Sequence, residues 1–141
     1  MKSEKCKVKS EKQSEKQSVE RGRVLFFSSR TQCSTCHGGF LFTDHSFQNN
    51  GLYEVYSDRG RGRLTGNNED DALFKVPSLW NVSVTAPYMH DGSMQTLQQV
   101  VAHYNEGGAM HPHKSERIRP LHLTEEEQTD LVAFLSSLTG Y

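Results

Sequence analysis

The chain has 141 residues, enough for one ordinary domain and too few for two full-sized ones. Its 16 lysines and arginines face 17 aspartates and glutamates, so no nucleic-acid footprint is indicated, and no apolar run reaches the ~18 residues of a membrane span. Hydrophobic residues make up 34% of it; counting glycine the apolar share is roughly 42%, below the ~45–50% of an ordinary domain, which leaves room for core that is not protein.

Residues 1–17 are of low complexity, with the triplet SEK beginning at Ser3, Ser10 and Ser14. The stretch is too polar to bury the surface that would offset its ordering entropy. It reads as a disordered or loosely helical tail, and residues 18–141 as one domain. The basic start has no apolar stretch behind it, so no signal peptide is seen. Cys6 reads as an incidental free thiol. Together with Cys33 and Cys36 it makes an odd count, which does not suggest a disulfide framework.

A helix is predicted over Val19–Ser28. Gly22 and Phe26 share one face of it, and the glycine would let another helix approach closely. Residues 31–75 are rich in Gly, Asn, Asp and Ser. So long an irregular stretch makes sense if it wraps something large. In TLQQVVAHYNEGG, Thr96 and Gln99 form a capping box and Gly107 a stop, with Leu97, Val100, Val101 and Tyr104 on one face. In TEEEQTDLVAFLSSLTG, Thr124 and Glu127 form a second box. Leu131, Phe134, Leu135 and Leu138 make its buried stripe, and Gly140 ends it. No convincing alternating strand appears. The expected class is all-α, with long loops.

The stretch CSTCH, residues 33–37, is the attachment motif of c-type haem. Cys33 and Cys36 would each form a thioether with one haem vinyl group, and His37 would bind the iron. A zinc site would need a second ligand pair, and only His111 and His113 offer one. A thioredoxin-like motif would need a βαβ context. One covalent haem accounts both for the low apolar content and for the irregular loops.

The ligand on the other face of the iron decides the chemistry. Met89, Met94, Met110, His90, His103 and Tyr104 all lie downstream. Methionine raises the potential and suits electron transfer, tyrosinate lowers it, and an open position admits peroxide. Spacing does not choose among them. By its place on the helix, Tyr104 reads as a core tyrosine whose hydroxyl has a partner.

FKVPSLWNVSVTAPYMHDGSMQTLQQVVAHYNEGG closely resembles the C-terminal haem domain of the bacterial di-haem cytochrome c peroxidase and MauG family. RGRVLFFSS, CHGGFLFTDHSFQNNGLY, DRGRGRLTG and LHLTEEEQTDLVAFLSSLTG stand in the family's order, so the resemblance covers residues 19–140. It implies a cytochrome c-like fold and electron transfer linked to hydrogen peroxide reduction. It implies Cys33 and Cys36 as haem anchors and His37 as proximal ligand. The distal position, nineteen residues beyond Thr85, is methionine in the peroxidases and tyrosine in the MauG-like branch; here it is Tyr104. Thr85 and Pro87 match positions whose backbone carbonyls bind calcium between the family's two domains. His90 matches the histidine of the family's HDG turn. Arg61 and Arg63 flank a loop near the haem, where an arginine fork suits a propionate.

The chain also departs from the family. It has one haem motif where the family has two, so the N-terminal haem domain and its share of the calcium site are missing. Trp80 stands where PSLRN would carry arginine; were it exposed, it would suggest a docking surface. Haem c is attached outside the cytoplasm, so a periplasmic or otherwise exported place is implied; either the true start lies upstream or the chain is a fragment or remnant of a longer gene. The partner expected is a separate redox protein or that N-terminal haem domain, with hydrogen peroxide as oxidant. The alternatives are a stand-alone single-haem electron carrier and a remnant of a longer di-haem peroxidase.

Overall fold

Helix α1 of the computed structural model runs Glu4–Phe26. The structure describes residues 4–140, with side chains from residue 7 onward, so the Cys6 thiol lies outside the described residues. α1 begins far upstream of the predicted Val19. Glutamate, lysine and glutamine are good helix formers, and neither glycine nor proline interrupts residues 4–21. Residues 7–17 of this helix are exposed all round. Four further helices follow: α2 (Cys33–Cys36), α3 (Arg61–Thr65), α4 (Leu97–Glu106) and α5 (Glu125–Ser136). Strands β1 (Phe47–Gln48) and β2 (Phe74–Lys75) pair antiparallel, Phe47 opposite Lys75. Two strands this short leave the fold helical with long irregular segments, as expected.

α1 and α5 cross at Gly22. A Cβ built there would stand 1.9 Å from the carbonyl oxygen of Asp130 and 2.8 Å from Cβ of Phe134. Only a glycine allows so close an approach. Phe26 lies beside the crossing, 2% exposed. Its ring meets Phe134 at 5.2 Å and stands edge-on to Phe42 at 5.9 Å. The Asp130 carboxylate, buried at the same crossing, accepts hydrogen bonds from Ser18 Oγ at 2.6 Å and Arg21 Nε at 2.9 Å.

Leu97 and Val101 of α4 join Leu131, Phe134 and Leu135 of α5 in one core, closed by Leu121, Leu123 and Leu138. Both predicted capping boxes form. Gly107 caps α4 in the left-handed region, where a side chain would also strike Pro120. α5 stops at Ser136, short of Gly140. The N–H of Ser137 takes up last-turn carbonyls at Phe134 and Ala133, while the carbonyl of Leu138 accepts from the N–H of Asn81 at 2.6 Å. Leu138 thus stays buried after the helix has ended.

Candidate haem site

The single turn α2 places Cys33 first and Cys36 last, with His37 as its C-cap. The N–H of His37 closes the turn on the Cys33 carbonyl at 3.0 Å. The buried Thr31 hydroxyl donates to the Leu25 carbonyl at 2.5 Å, tying the approach to α2 onto the end of α1.

Nδ1 of His37 lies 2.9 Å from the carbonyl oxygen of Phe42. A carbonyl only accepts, so Nδ1 carries the hydrogen and Nε2 keeps its lone pair. Burial pushes the imidazole below its ordinary range, against the opposing pull of the Phe42 and Pro77 carbonyls. The result is a neutral ring of fixed tautomer and orientation, the form that binds a metal. Burial pushes the Cys33 thiol up, with the nearby Cys36 adding to the rise.

Tyr104 projects from α4, and its phenol oxygen accepts from Nδ2 of Asn50 at 3.1 Å. Burial pushes the phenol above its ordinary range, and the Asn50 hydrogen bond pulls the other way. Cys33 and Cys36 add to the rise. Met89, in the left-handed region at φ 72°, brings its Sδ within 3.3 Å of the same Asn50 nitrogen. Met94 pairs its backbone with Tyr88. Met110 is 77% exposed and stands off the cluster. Nε2 of His103 is bonded to the Asn50 carbonyl at 2.8 Å, and the His90 ring is stacked on Phe74 at 3.9 Å.

Arg61 lies with its guanidinium 4.4 Å over the Phe47 ring and its Nε 3.7 Å from the Asp70 carboxylate. Arg63 is exposed on the same short helix α3. Thr85 and Pro87 are exposed, and Pro87 follows a cis peptide bond from Ala86. Trp80 is half-buried. Its Nε1 donates to the Phe40 carbonyl at 2.7 Å, and its ring stands edge-on to Phe42 at 5.4 Å. Phe42 therefore links the His37 imidazole to both Trp80 and Phe26. His111 and His113 turn their Nδ1 atoms toward Asn49 and the Asp71 carbonyl. Among the described residues no three His, Cys, Asp or Glu side chains gather to hold a metal ion by themselves.

Two contacts were not foreseen from the sequence. Asn50 joins Tyr104 to Met89, although its stretch reads only as irregular chain. Arg117 brings Nη1 within 3.4 Å of Cys36 Sγ; nothing in SERIRP marks it. The donor set as a whole fits a c-type haem. Two cysteines on one turn, followed by a buried imidazole whose Nδ1 is held by a backbone carbonyl, are what the group needs.

The sequence pattern of cytochrome c matches residues 19–139. The chain belongs to the cytochrome c family. Membership implies covalent binding of haem c. This cytochrome c domain is 38% identical to the cytochrome-c peroxidase IdrP1 of Denitromonas iodatirespirans, over 86% of the domain's chain and 40% of the relative. It is 39% identical to the methylamine utilization protein MauG of Methylorubrum extorquens, over 85% of its own chain and 34% of that protein. The chain thus spans some two-fifths or less of the length of these relatives. The crystal structure of a MauG-like protein associated with microbial copper homeostasis matches it with a TM-score of 0.81 at 36% identity, over 88% of this chain and 47% of that one. The resemblance read from the sequence holds. Among the described residues no helix is long and apolar enough to cross a membrane.

Proposed function

We propose that this cytochrome c domain carries single electrons through one covalent haem in a peroxide-linked system of the di-haem peroxidase and MauG kind, with Tyr104 opposite His37. The observation that carries this reading is the buried Tyr104 phenol on α4, its oxygen hydrogen-bonded by Asn50. When bound, the haem supplies a one-electron ferric/ferrous couple. Cys33 and Cys36 would anchor it and His37 would bind through Nε2, its ring held by the Phe42 carbonyl. Arg61 and Arg63 would offer forks to the propionates. The fold unit is taken as residues 18–141.

Hydrogen peroxide is the proposed oxidant, by likeness to relatives named cytochrome-c peroxidase. The partner is a redox protein or an N-terminal haem domain. The carbonyls of Thr85 and Pro87 would give half of a calcium site at that junction. The site of action is the periplasm or another exported place, where haem c is attached.

The test is to export the chain, mature it with haem and record the ferric absorption spectrum. A tyrosinate charge-transfer band that disappears in Tyr104→Phe supports the reading. A second reading, a stand-alone electron carrier, is favoured by Met89 reaching the same amide as Tyr104. It requires the weak far-red band of methionine-ligated ferric haem, lost in Met89→Leu and kept in Tyr104→Phe.

A further inference from the structure

The carbonyl that holds the His37 ring sits in a strained turn. Residues 39–42 close through the N–H of Phe42 on the Gly39 carbonyl at 3.2 Å. Phe42 stands in the left-handed region at φ 53°, a conformation that costs a phenylalanine energy and persists where its surroundings enforce it. Its carbonyl nevertheless stays 2.9 Å from Nδ1 of His37.

Residues 74–80 supply the enforcement. They run back along residues 40–48, outward from the β1–β2 pairing. The N–H of Val76 donates to the Ser46 carbonyl at 2.8 Å. The buried Thr43 hydroxyl donates to the Val76 carbonyl at 2.6 Å. Beyond Thr43 the hold passes to a side chain, Trp80. Its Nε1 donates to the Phe40 carbonyl at 2.7 Å, and its ring meets the Phe42 ring at 5.4 Å. The indole thus grips the turn both at its backbone and at its strained residue. Trp80 is itself anchored. Its own N–H donates to Ser78 Oγ at 3.2 Å, and the N–H of Asn81 donates to the Leu138 carbonyl at 2.6 Å, beside the core. Pro77, in the same segment, adds a second carbonyl that pulls on the imidazole in the same sense as that of Phe42.

We infer that Trp80 is a positioning residue for His37: it clamps residues 39–42 against residues 76–80 and so fixes the Phe42 carbonyl on the Nδ1–H of the ring. A fixed acceptor there sets the orientation of the ring and raises the basicity of the nitrogen that binds metal. The inference deepens the reading of His37 as the haem ligand and is independent of the group opposite it.

The test uses the protein matured with haem, its ferric form saturated with cyanide. Cyanide takes the place opposite His37 whatever group holds it at rest. The iron then shifts the Nδ1–H resonance of its own histidine clear of the other histidines. Exchange of that proton with solvent is measured in wild type, Trp80→Phe and Trp80→Leu. Phenylalanine keeps a ring and drops the donor; leucine drops both. Exchange should quicken roughly two- to tenfold in Trp80→Phe, the worth of one such hydrogen bond, and further in Trp80→Leu. The midpoint potential should rise in step, because a looser acceptor makes His37 a weaker donor to ferric iron. Thr124→Ala removes the α5 cap and is the stability control; it should leave both readings unchanged.

A wild-type measurement decides the matter where the Trp80 variants fold poorly. The chain has one tryptophan, so its indole N–H is assigned at once. It should exchange with the same denaturant dependence as the His37 Nδ1–H, as part of one opening unit. Uncoupled exchange of the two protons overturns the inference alone. So do folded Trp80 variants with wild-type exchange and potential, or a Thr124→Ala effect equal to theirs. A wild-type cyanide complex with no shifted imidazole N–H overturns His37 as the ligand, and the inference with it.

Discussion

Gly22→Ala tests the α1–α5 crossing on which the haem turn depends. The added methyl would start 1.9 Å from the Asp130 carbonyl oxygen and 2.6 Å from its carbon. Both atoms are backbone, so neither can rotate aside. Ordinary contact for such atoms is about 3.5 Å, and α1 and α5 would have to part by about 1.5 Å. That opening would stretch the Ser18–Asp130 and Arg21–Asp130 hydrogen bonds and loosen the Phe26–Phe134 ring contact. Overpacking of this kind costs about 1–3 kcal/mol. Alanine returns up to about 1 kcal/mol through helix propensity. With a backbone obstacle the cost belongs at the upper end, leaving a net loss of about 1–2 kcal/mol. In a chain of this size that corresponds to a fall in Tm on the order of 3–8 °C. Urea denaturation of the matured protein, followed by far-ultraviolet circular dichroism, measures it directly. The midpoint should drop while the slope m stays unchanged. A variant as stable as wild type, or more so, would refute the claim that these helices touch backbone to side chain at residue 22.

The same crossing has a pH signature. Burial pushes Asp130 up, yet Arg21 and Ser18 outweigh it and hold the carboxyl below its ordinary range. A depressed folded pKa stabilises the protein above the unfolded value of about 4 and ceases to do so as pH falls through the folded value. Asn at 130 should therefore cost about 1–2 kcal/mol at neutral pH, reduced by the half-exposure of Arg21, and the gap to wild type should narrow in acid urea melts. Thr43→Val leaves the Val76 carbonyl and the His45 N–H without the buried hydroxyl that serves both, a loss of about 1–3 kcal/mol in the same assay. Arg117→Gln removes a cation 3.4 Å from Cys36 Sγ; a neighbouring cation favours the reduced iron, so the haem potential should fall in redox titration, and fall further at low salt.

Local chemistry made the helices of the C-terminal half readable. Thr96 with Gln99 and Thr124 with Glu127 fix two helix starts through four residues alone, and both caps are found. Gly22 was legible for the same reason, since a glycine four residues from a phenylalanine on one face has few other uses. Cys33, Cys36 and His37 are contiguous, so their geometry needs one turn and no tertiary knowledge. The outer part of α1 was not legible, because low apolar content argues against burial and says nothing about the helix propensity of Glu, Lys and Gln. Asn50 and Arg117 were hidden for a different reason. Each meets its partner across a sequence gap of 54 and 81 residues, respectively, through a residue that locally reads as irregular chain or a surface charge. The end of α5 fell earlier than the glycine suggested, because burying Leu138 took precedence over continuing the helix.

The exposed run of α1 has a consequence for how the protein opens. From residue 7 to residue 17 no side chain is buried, while Gly22 and Phe26 are enclosed. Amide protection along this one helix should therefore be graded. Its first turns exchange through fraying at almost no free-energy cost, as in an isolated peptide. Its last turn exchanges only when the α5 contact itself is lost. One continuous helix thus contains both the least protected and some of the best protected amides of the fold, and the boundary between them falls near Ser18, where the first bond to Asp130 is made.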